Sequence, residues 1–558
     1  MIKKILITIS IFLIIFFLGK NLNPLSNFMF DFHDETQPAR IHQFVLNLKN
    51  GQIPPRIAPQ FNFNLGFPIF NYYAPASYWI TSFFHLIGFS IINSLKISFL
   101  LAIVISFYSM YKLISLYFGF YQGLTAGLLY ASSPWIASEI FIRGNLGEIW
   151  FIALMPLAFY FLKKNSVKFS KKDFFLGIII LGLILTTHNI LSLVFLPIVI
   201  GFIFILPNKK RNLLSLFFAL ILNSYYFIPA ILEINYAWAT TLSKHTNFSD
   251  HLLCLWQLWT TNYWGYGGSV PGCQNDGMAF MIGKPQIILG VIGLFFLIKK
   301  LKDKKNSKDF VYFILITFLS IFFSTYLSYS IAKLLESYLN FFQFPWRFLA
   351  FIIFGICFFI GAVYLNNNFK KLSLIIFISS LIIIFYNQKF FKKTEVNIDQ
   401  FNKLYLSKDY LLKNVSYKVY EYLPKTVDYN YWLKYQPKRN QDYLKDEFLE
   451  KGLPANSLDY QPIKLIKNEP FEKLIQTSSK KIIINISYLP YWQIYINNKT
   501  YYPKNIDQFG RPIVELNNNI KKEIKIKYQQ TIIQKIANIL SLISFLLILK
   551  FLWKIKKI

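Results

Sequence analysis

Ile5-Leu6-Ile7-Thr8-Ile9-Ser10-Ile11-Phe12-Leu13-Ile14-Ile15-Phe16-Phe17-Leu18, preceded by Lys3 and Lys4, runs into a polar segment that holds Asp31-Phe32-His33-Asp34-Glu35-Thr36-Gln37-Pro38-Ala39-Arg40-Ile41-His42. The apolar run approaches the ~20 residues that a helix needs to cross a bilayer. No small-residue cleavage site follows it, so it reads as an uncleaved first span with its basic start inside. Residues 21–75 are too polar and too rich in Pro and Gly for lipid. Together with a short apolar stretch at 76–88, which suits a helix lying on the outer surface, they predict a first external loop over residues 21–92.

Composition extends this reading to the whole chain. Of 558 residues, 54% are hydrophobic and 15% charged, against roughly 25% charged in soluble domains. The formal net charge of +32 does not indicate nucleic acid, because the lysines sit in short clusters between long apolar runs. Such clusters mark cytoplasmic loops. Lys209, Lys210 and Arg211, then Lys299 to Lys305, Lys370 and Lys371, and the tail Lys554, Lys556 and Lys557 all come out inside if further spans lie near 93–117, 120–138, 148–163, 173–189, 190–206, 213–232, 285–299, 309–330, 346–364, 371–387 and 533–553. This predicts a polytopic α-helical cell-membrane protein with about twelve transmembrane helices and both termini cytoplasmic.

Three segments follow: a transmembrane domain over 1–390, an extracytoplasmic β-rich domain over 391–531, and a final helix with a basic tail over 532–558. The second rests on period-two alternation at Lys481–Tyr488, Trp492–Ile496 and Glu523–Tyr528 around the turn Asn497-Asn498, the pattern of a β-sandwich. Cys254 and Cys273 share one external loop and can pair there, while Cys357 lies in an apolar run as a packing residue.

Chemistry concentrates on the external side. The first loop carries Asp31, Asp34 and Glu35 beside His33, His42 and Arg40. A carboxylate at the mouth of a membrane cavity can serve as general base, with its pKa set by burial and a nearby guanidinium. Asp31 or Asp34 equally suits a cap for the helix that starts near Thr36 or Pro38. Asn71, Tyr72 and Tyr73, in a loop crowded with Pro and aromatics, suit stacking on a sugar or an interfacial aromatic belt. Further turns carry Glu139, Arg143, Gly144, Asn145 and Glu148, then Thr187, His188 and Asn189, then Phe344, Pro345, Trp346 and Arg347. Four of only seven arginines, Arg40, Arg56, Arg143 and Arg347, thus face outside. Guanidiniums there fit a lipid phosphate or pyrophosphate, or simply snorkel to headgroups. The six histidines, at 33, 42, 85, 188, 245 and 251, lie on the outer side in no established ligand spacing; a divalent metal is left open and no ligand or cofactor is assigned. No Walker loop, dinucleotide fingerprint or nucleophile elbow occurs.

The combination of Asp34-Glu35 after the first span, Arg40, Gly51-Gln52-Ile53-Pro54-Pro55-Arg56 and Gly66-Phe67-Pro68-Ile69-Phe70-Asn71-Tyr72-Tyr73-Ala74-Pro75 resembles the GT-C superfamily of polytopic glycosyltransferases, which includes protein O-mannosyltransferases and aminoarabinose transferases. More narrowly, Phe141 to Glu148, Thr187-His188-Asn189 and Phe344-Pro345-Trp346-Arg347 resemble the bacterial membrane family labelled "6-pyruvoyl-tetrahydropterin synthase-related". That label carries the name of a soluble pterin enzyme whose metal-binding His set has no counterpart here. The stretch Tyr488 to Asn497 is similar to the β-domains of YfhO-like membrane proteins.

The resemblance implies an inverting transfer of a sugar from a polyprenyl-phosphate donor to a glycan, lipid or protein acceptor on the extracytoplasmic face. Carried over, Asp34 is the leading base, Glu35 the second and Asp31 the third. Arg143, Arg347 and Arg40 hold the phosphate. Asn71, Tyr72, Tyr73 and His33 line the substrate site, with Glu148 orienting an arginine and His188 alongside. The bilayer is the other partner. A transporter or flippase for a lipid-linked glycan is the alternative, which the apolar middles of most spans disfavour; a non-catalytic envelope protein that binds glycan or lipid is the third reading.

Overall fold

The computed structural model describes residues 2–238, 246–261, 263–265, 267–302, 306–364, 370–408, 410–415, 422–434, 454–459, 461–516 and 521–554; His245, Lys304, Lys305, Lys556 and Lys557 lie outside them. Apolar sequence without polar interruption folds into helices that satisfy their own backbone, as lipid requires. Five helices are long and apolar enough to cross a membrane by length and composition: Ile91–Tyr117, Leu146–Val167, Ser307–Ser324, Pro345–Val363 and Ile532–Lys550. A sixth candidate is the pair Lys209–Leu222 and Ser224–Leu232, bent by 69°. The other apolar helices are shorter, including Ile2–Phe17, Phe120–Ala131, Lys171–Leu185, Asn189–Ile205 and Lys284–Lys300 at 16, 12, 15, 17 and 17 residues. At 1.5 Å per residue these reach about 18–26 Å against a hydrocarbon core of ~30 Å. Five or six of the described helices or helix pairs are thus long and apolar enough to cross, and twelve crossings are not confirmed.

The Leu146–Val167 helix is the axis of the body: its apolar window is wholly buried, whereas that of Ile532–Lys550 is only 22% buried. Its far end is pinned by ion pairs that bind helix to helix, Lys163 to Asp309 at 2.5 Å and Lys164 to Asp173 at 2.9 Å. Its near end carries Glu148, about 22 Å away along the helix.

The first loop is folded against later parts of the chain. Strand β1, Phe28–Phe30, pairs antiparallel with β2, Glu395–Asn397, with Phe28 opposite Asn397 and Phe30 opposite Glu395. The Gln37–Lys49 helix begins with Pro38, whose missing N–H costs nothing in a first turn. The Ala76–Leu86 helix buries Tyr78, Thr81 and Ser82 while Phe83 and Leu86 stay about half exposed, the division a surface helix should show. Residues beyond β2 return to the same core: Ile398, Phe401, Tyr410, Leu423, Val427 and Trp432 are buried among the helices.

Strands β3 (Ala455–Ser457), β6 (Lys481–Ile484), β10 (Pro512–Glu515) and β9 (Asn505–Ile506) form one sheet in that order. Strands β4 (Ile463–Glu469), β5 (Glu472–Thr477), β11 (Lys522–Tyr528), β7 (Trp492–Ile496) and β8 (Lys499–Tyr501) form the other. Ile482, Ile484 and Val514 of the first share one core with Ile475, Ile494, Ile524 and Ile526 of the second, so alternate side chains of two sheets meet face to face as a sandwich. Ile57 of the first loop enters that core, and Ser487 N–H donates to the Leu65 carbonyl at 2.6 Å. Cys254 and Cys273 form a disulfide, and Cys357 is buried and free.

Candidate active site

After Pro134–Ala137 the chain winds more loosely, as a π-helical turn over Ser138–Arg143. Such turns are rare and cluster at functional sites. Here the turn ends on Gly144, whose left-handed backbone (φ 65°) returns an N–H to the Glu139 carbonyl. A Cβ on Gly144 would lie 2.1 Å from the Phe32 ring, so glycine alone lets the first loop close over the turn. Asn145 then caps the Leu146–Val167 helix, accepting from Glu148 N–H at 2.9 Å. This winding places Glu139, Arg143 and Glu148 on one spot.

The side chains there form a buried charge cluster. Arg143 Nη1 donates to Glu139 at 2.8 and 2.9 Å and meets Glu148 Oε2 at 2.8 Å, while Nη2 donates to Glu148 Oε1 at 3.0 Å. Its guanidinium carbon sits 4.3 Å from the centre of the Trp346 ring, a cation–π contact that tolerates the dry surroundings. Arg347 reaches Glu148 through Nε at 3.2 Å and gives Nη1 to the Phe342 carbonyl and Gln343. Among the described residues Arg347 Nη2 takes no hydrogen bond. His188 caps its helix by accepting Leu191 N–H on Nδ1, which leaves the proton on Nε2, 3.4 Å from Glu148. Burial holds the His188 imidazole down to about 3 despite the Glu148 charge, so it is neutral at pH 7. Burial likewise pushes the Glu139 carboxyl up to about 8, against the pull of Arg143.

The first loop completes the cluster. His33 and Asp34 N–H groups donate to the Ile142 and Arg143 carbonyls at 2.8 and 2.7 Å, tying the loop to the π-turn. Asp34 is one-quarter exposed, accepts from His33 at 3.1 Å, and is the loop carboxylate whose charge bears on Glu139, Arg143, His188 and Tyr73. Its burial raises its pKa, but the His33 hydrogen bond and the charges of Arg143 and Arg40 more than offset this and leave it below the ordinary value. The helix-capping role falls to its backbone: Gln37 N–H donates to the Asp34 carbonyl, not the carboxylate. Arg40 lies 4.9 Å over the Tyr73 ring and donates to Tyr78 Oη at 3.3 Å. Three guanidiniums, those of Arg40, Arg143 and Arg347, thus share this region with the carboxyl groups of Asp34, Glu139 and Glu148. A small apolar hollow lined by Leu191, Val194, Phe342, Phe344 and Phe348 lies beside Arg347.

The other first-loop candidates sit elsewhere. Asp31 accepts from Tyr405 Oη at 3.2 Å, and Glu35 is half-buried one residue past Asp34. Asn71 and Tyr72 do not join the charge cluster. Asn71 donates to Glu233 at 2.9 Å and Tyr491 at 3.1 Å, and Tyr72 Oη donates to the Glu233 carbonyl at 2.7 Å. Glu233 also accepts from Gln534 at 2.8 Å and Thr531 at 2.5 Å, while Arg56 donates to Asn538 at 2.9 Å. This buried network fastens the first loop, the bent helix pair, the sandwich and the last helix together. Nothing in the motif reading singled out Glu233, although a carboxylate closing an apolar run is itself a signal. Replacing it with Ala orphans several buried donors at ~1–3 kcal/mol each. Glu233→Ala is expected to lower the thermal midpoint in detergent and expose the sandwich to limited proteolysis.

Glu139 and Trp346 are the cluster members that the sequence reading quoted without a role. Among the described residues no three His, Cys, Asp or Glu side chains stand together as a metal-ligand set.

Residues 70–391, which hold Arg143, Glu148, His188 and Arg347, match the model of a family described as 6-pyruvoyl-tetrahydropterin synthase related domain, membrane protein. The chain belongs to that membrane-protein family. The family match covers more than half of the chain and begins after Asp34 and Arg40, so those two residues of the site lie outside it. No curated protein matches the chain. Among solved structures, the arabinofuranosyltransferase AftD from Mycobacteria is similar, at a TM-score of 0.42 and 11% identity, over 71% of this chain and 27% of that one. The family member described here thus spans about a quarter of that protein's length.

Proposed function

We propose that the protein is an integral-membrane glycosyltransferase that moves a sugar from a polyprenyl-phosphate donor to an acceptor hydroxyl on the extracytoplasmic face. The observation that carries the reading is the seating of the Asp34 carboxylate, through its own backbone N–H, on the segment that presents Arg143. A candidate general base and the guanidiniums of Arg143, Arg347 and Arg40 then share one end of the helical body.

Asp34 takes the acceptor proton as the hydroxyl oxygen attacks the anomeric carbon from the face opposite the phosphate. The carbon–oxygen bond to phosphate breaks, and the leaving group departs with the electron pair and the charge. Arg347, through Nη2, and Arg40 are the phosphate ligands; Arg143, with both Nη atoms engaged by carboxylates, acts as fixed charge. Glu148 orients Arg347 and His188, and Tyr73 faces the sugar or acceptor beside Arg40. The hollow next to Arg347 offers apolar cover to the isoprenoid. Twelve crossings, cytoplasmic termini, plasma-membrane residence and an outward sandwich complete the proposed arrangement.

The test is release of polyprenyl phosphate from polyprenyl-phosphate sugars by the purified protein. Ion-driven uptake of a lipid-linked glycan without glycosyl transfer would favour the transporter reading instead.

A further inference from the structure

A cavity of about 160 Å³ opens between the first turn of the Lys284–Lys300 helix, the last turn of the Lys370–Asn387 helix and the pair Thr260-Thr261. It lies at the same end of the body as Arg143, since Ser133 Oγ donates to the Ile282 carbonyl and Trp135 stacks on Phe280 and meets Trp346 edge-on. The Trp135 and Trp346 rings separate the two places.

Its lining has one sign of charge. Lys284 and Lys389 both border it and no carboxylate does. Their ammoniums rest on aromatic rings, Lys284 5.8 Å from Trp259 and Lys389 3.9 Å from Tyr386, and among the described residues neither meets an acid. Thr260 and Thr261 also border it; the Thr261 hydroxyl donates to the Tyr263 carbonyl at 2.6 Å, which leaves the Thr260 hydroxyl as a donor. The helix that starts at Lys284 has 17 residues; its cap, Gly283, has no side chain, and because Pro285 has no N–H the first turn offers only the N–H groups of Lys284 and Gln286. Two cations, one hydroxyl donor and a helix start without a side-chain cap fit a phosphate. Below the mouth the two helices show lipid-type surfaces: Ile288, Val291 and Phe295 on one, Ile378, Ile382 and Phe385 on the other, are about half or more exposed. A ligand with an anionic head and apolar tails satisfies both halves.

We propose that this cavity is a second anion site, distinct from the Asp34 cluster, that holds the phosphate headgroup of a bilayer phospholipid. It does not depend on the transferase reading.

Full-length protein in non-ionic detergent, titrated by native mass spectrometry with phosphatidylglycerol, phosphatidylcholine and inorganic phosphate, tests it. Wild type is expected to retain one phosphatidylglycerol tightly, and Lys284→Ala/Lys389→Ala to retain it about tenfold more weakly or worse. Both positions are exposed, so an unchanged thermal midpoint verifies folding. Phosphatidylglycerol that resists millimolar inorganic phosphate identifies the lipid as the source. Full displacement by inorganic phosphate overturns the phospholipid assignment and leaves a free-anion site. Equal phosphatidylglycerol retention by wild type, by the alanine pair and by Lys284→Glu/Lys389→Glu overturns the site altogether.

Discussion

Asp34→Asn is expected to lower sugar transfer by about a hundredfold to ten-thousandfold, the range that a positioned general base contributes, and to leave donor binding intact. Asparagine keeps the shape and the backbone N–H bond to the Arg143 carbonyl, and it can still meet His33. Only the capacity to accept a proton is lost. The pH profile carries a second signature. The wild-type carboxylate lies below its ordinary value of 3.8, because the His33 hydrogen bond and the Arg143 and Arg40 charges outweigh its burial. A lowered pKa means that the base stays ionised as pH falls, so transfer should remain level from neutral pH to about 4 and drop only below. Stability conferred by the same contacts is present above the unfolded value and lost over the same acid range. His188, neutral above about 3, adds no limb between pH 5 and 8. Transfer kinetics of wild type and variant from pH 8 down to below 4 check both statements. An Asp34→Asn protein with full activity would remove Asp34 from the mechanism.

Glu148→Ala is expected to cost about 3–5 kcal/mol of stability, the loss seen when one member of a buried ion pair is removed. Glu148 is 1% exposed and receives Arg143, Arg347 and His188 together. Its loss leaves Arg143 with Glu139 alone and Arg347 without a carboxylate. Glu148→Gln separates charge from shape: it preserves one acceptor and the packing, so it should unfold between wild type and Glu148→Ala. Thermal denaturation of the three proteins in one detergent reads the order directly. Equal midpoints for all three would mean that the cluster does not hold this end of the body together.

How far the sequence reaches is clearest at two neighbouring tyrosines. Tyr72 and Tyr73 read alike as aromatic residues of one loop, yet a short helical turn over Ile69–Tyr72 sends them apart. Tyr73 lies under Arg40, whereas Tyr72 enters the Glu233 network. Successive residues on a turn diverge by about 100°, and residue type cannot say which faces the site. The Glu233 network was illegible for a further reason: Tyr491 and Gln534 meet it from hundreds of residues away. The charged turns, by contrast, were visible as motifs. Arginine and glutamate at the ends of apolar runs must find each other or water, and Arg143, Glu148, His188 and Arg347 found each other. Strand alternation at Lys481–Ile484 and Trp492–Ile496 was equally legible, since one face of each strand had to be buried. Span number is less settled, because helices of 12 to 17 residues pass a hydropathy reading while their length alone does not confirm a crossing.

The measurement closest to the central claim is turnover of radiolabelled polyprenyl-phosphate sugars by purified wild-type protein in bilayer nanodiscs, with Asp34→Asn in parallel. Release of polyprenyl phosphate coupled one-to-one to glycosylated acceptor, and its loss in Asp34→Asn, is the predicted result. Donor that binds and stays intact in wild type across a panel of donor sugars and acceptors would contradict it.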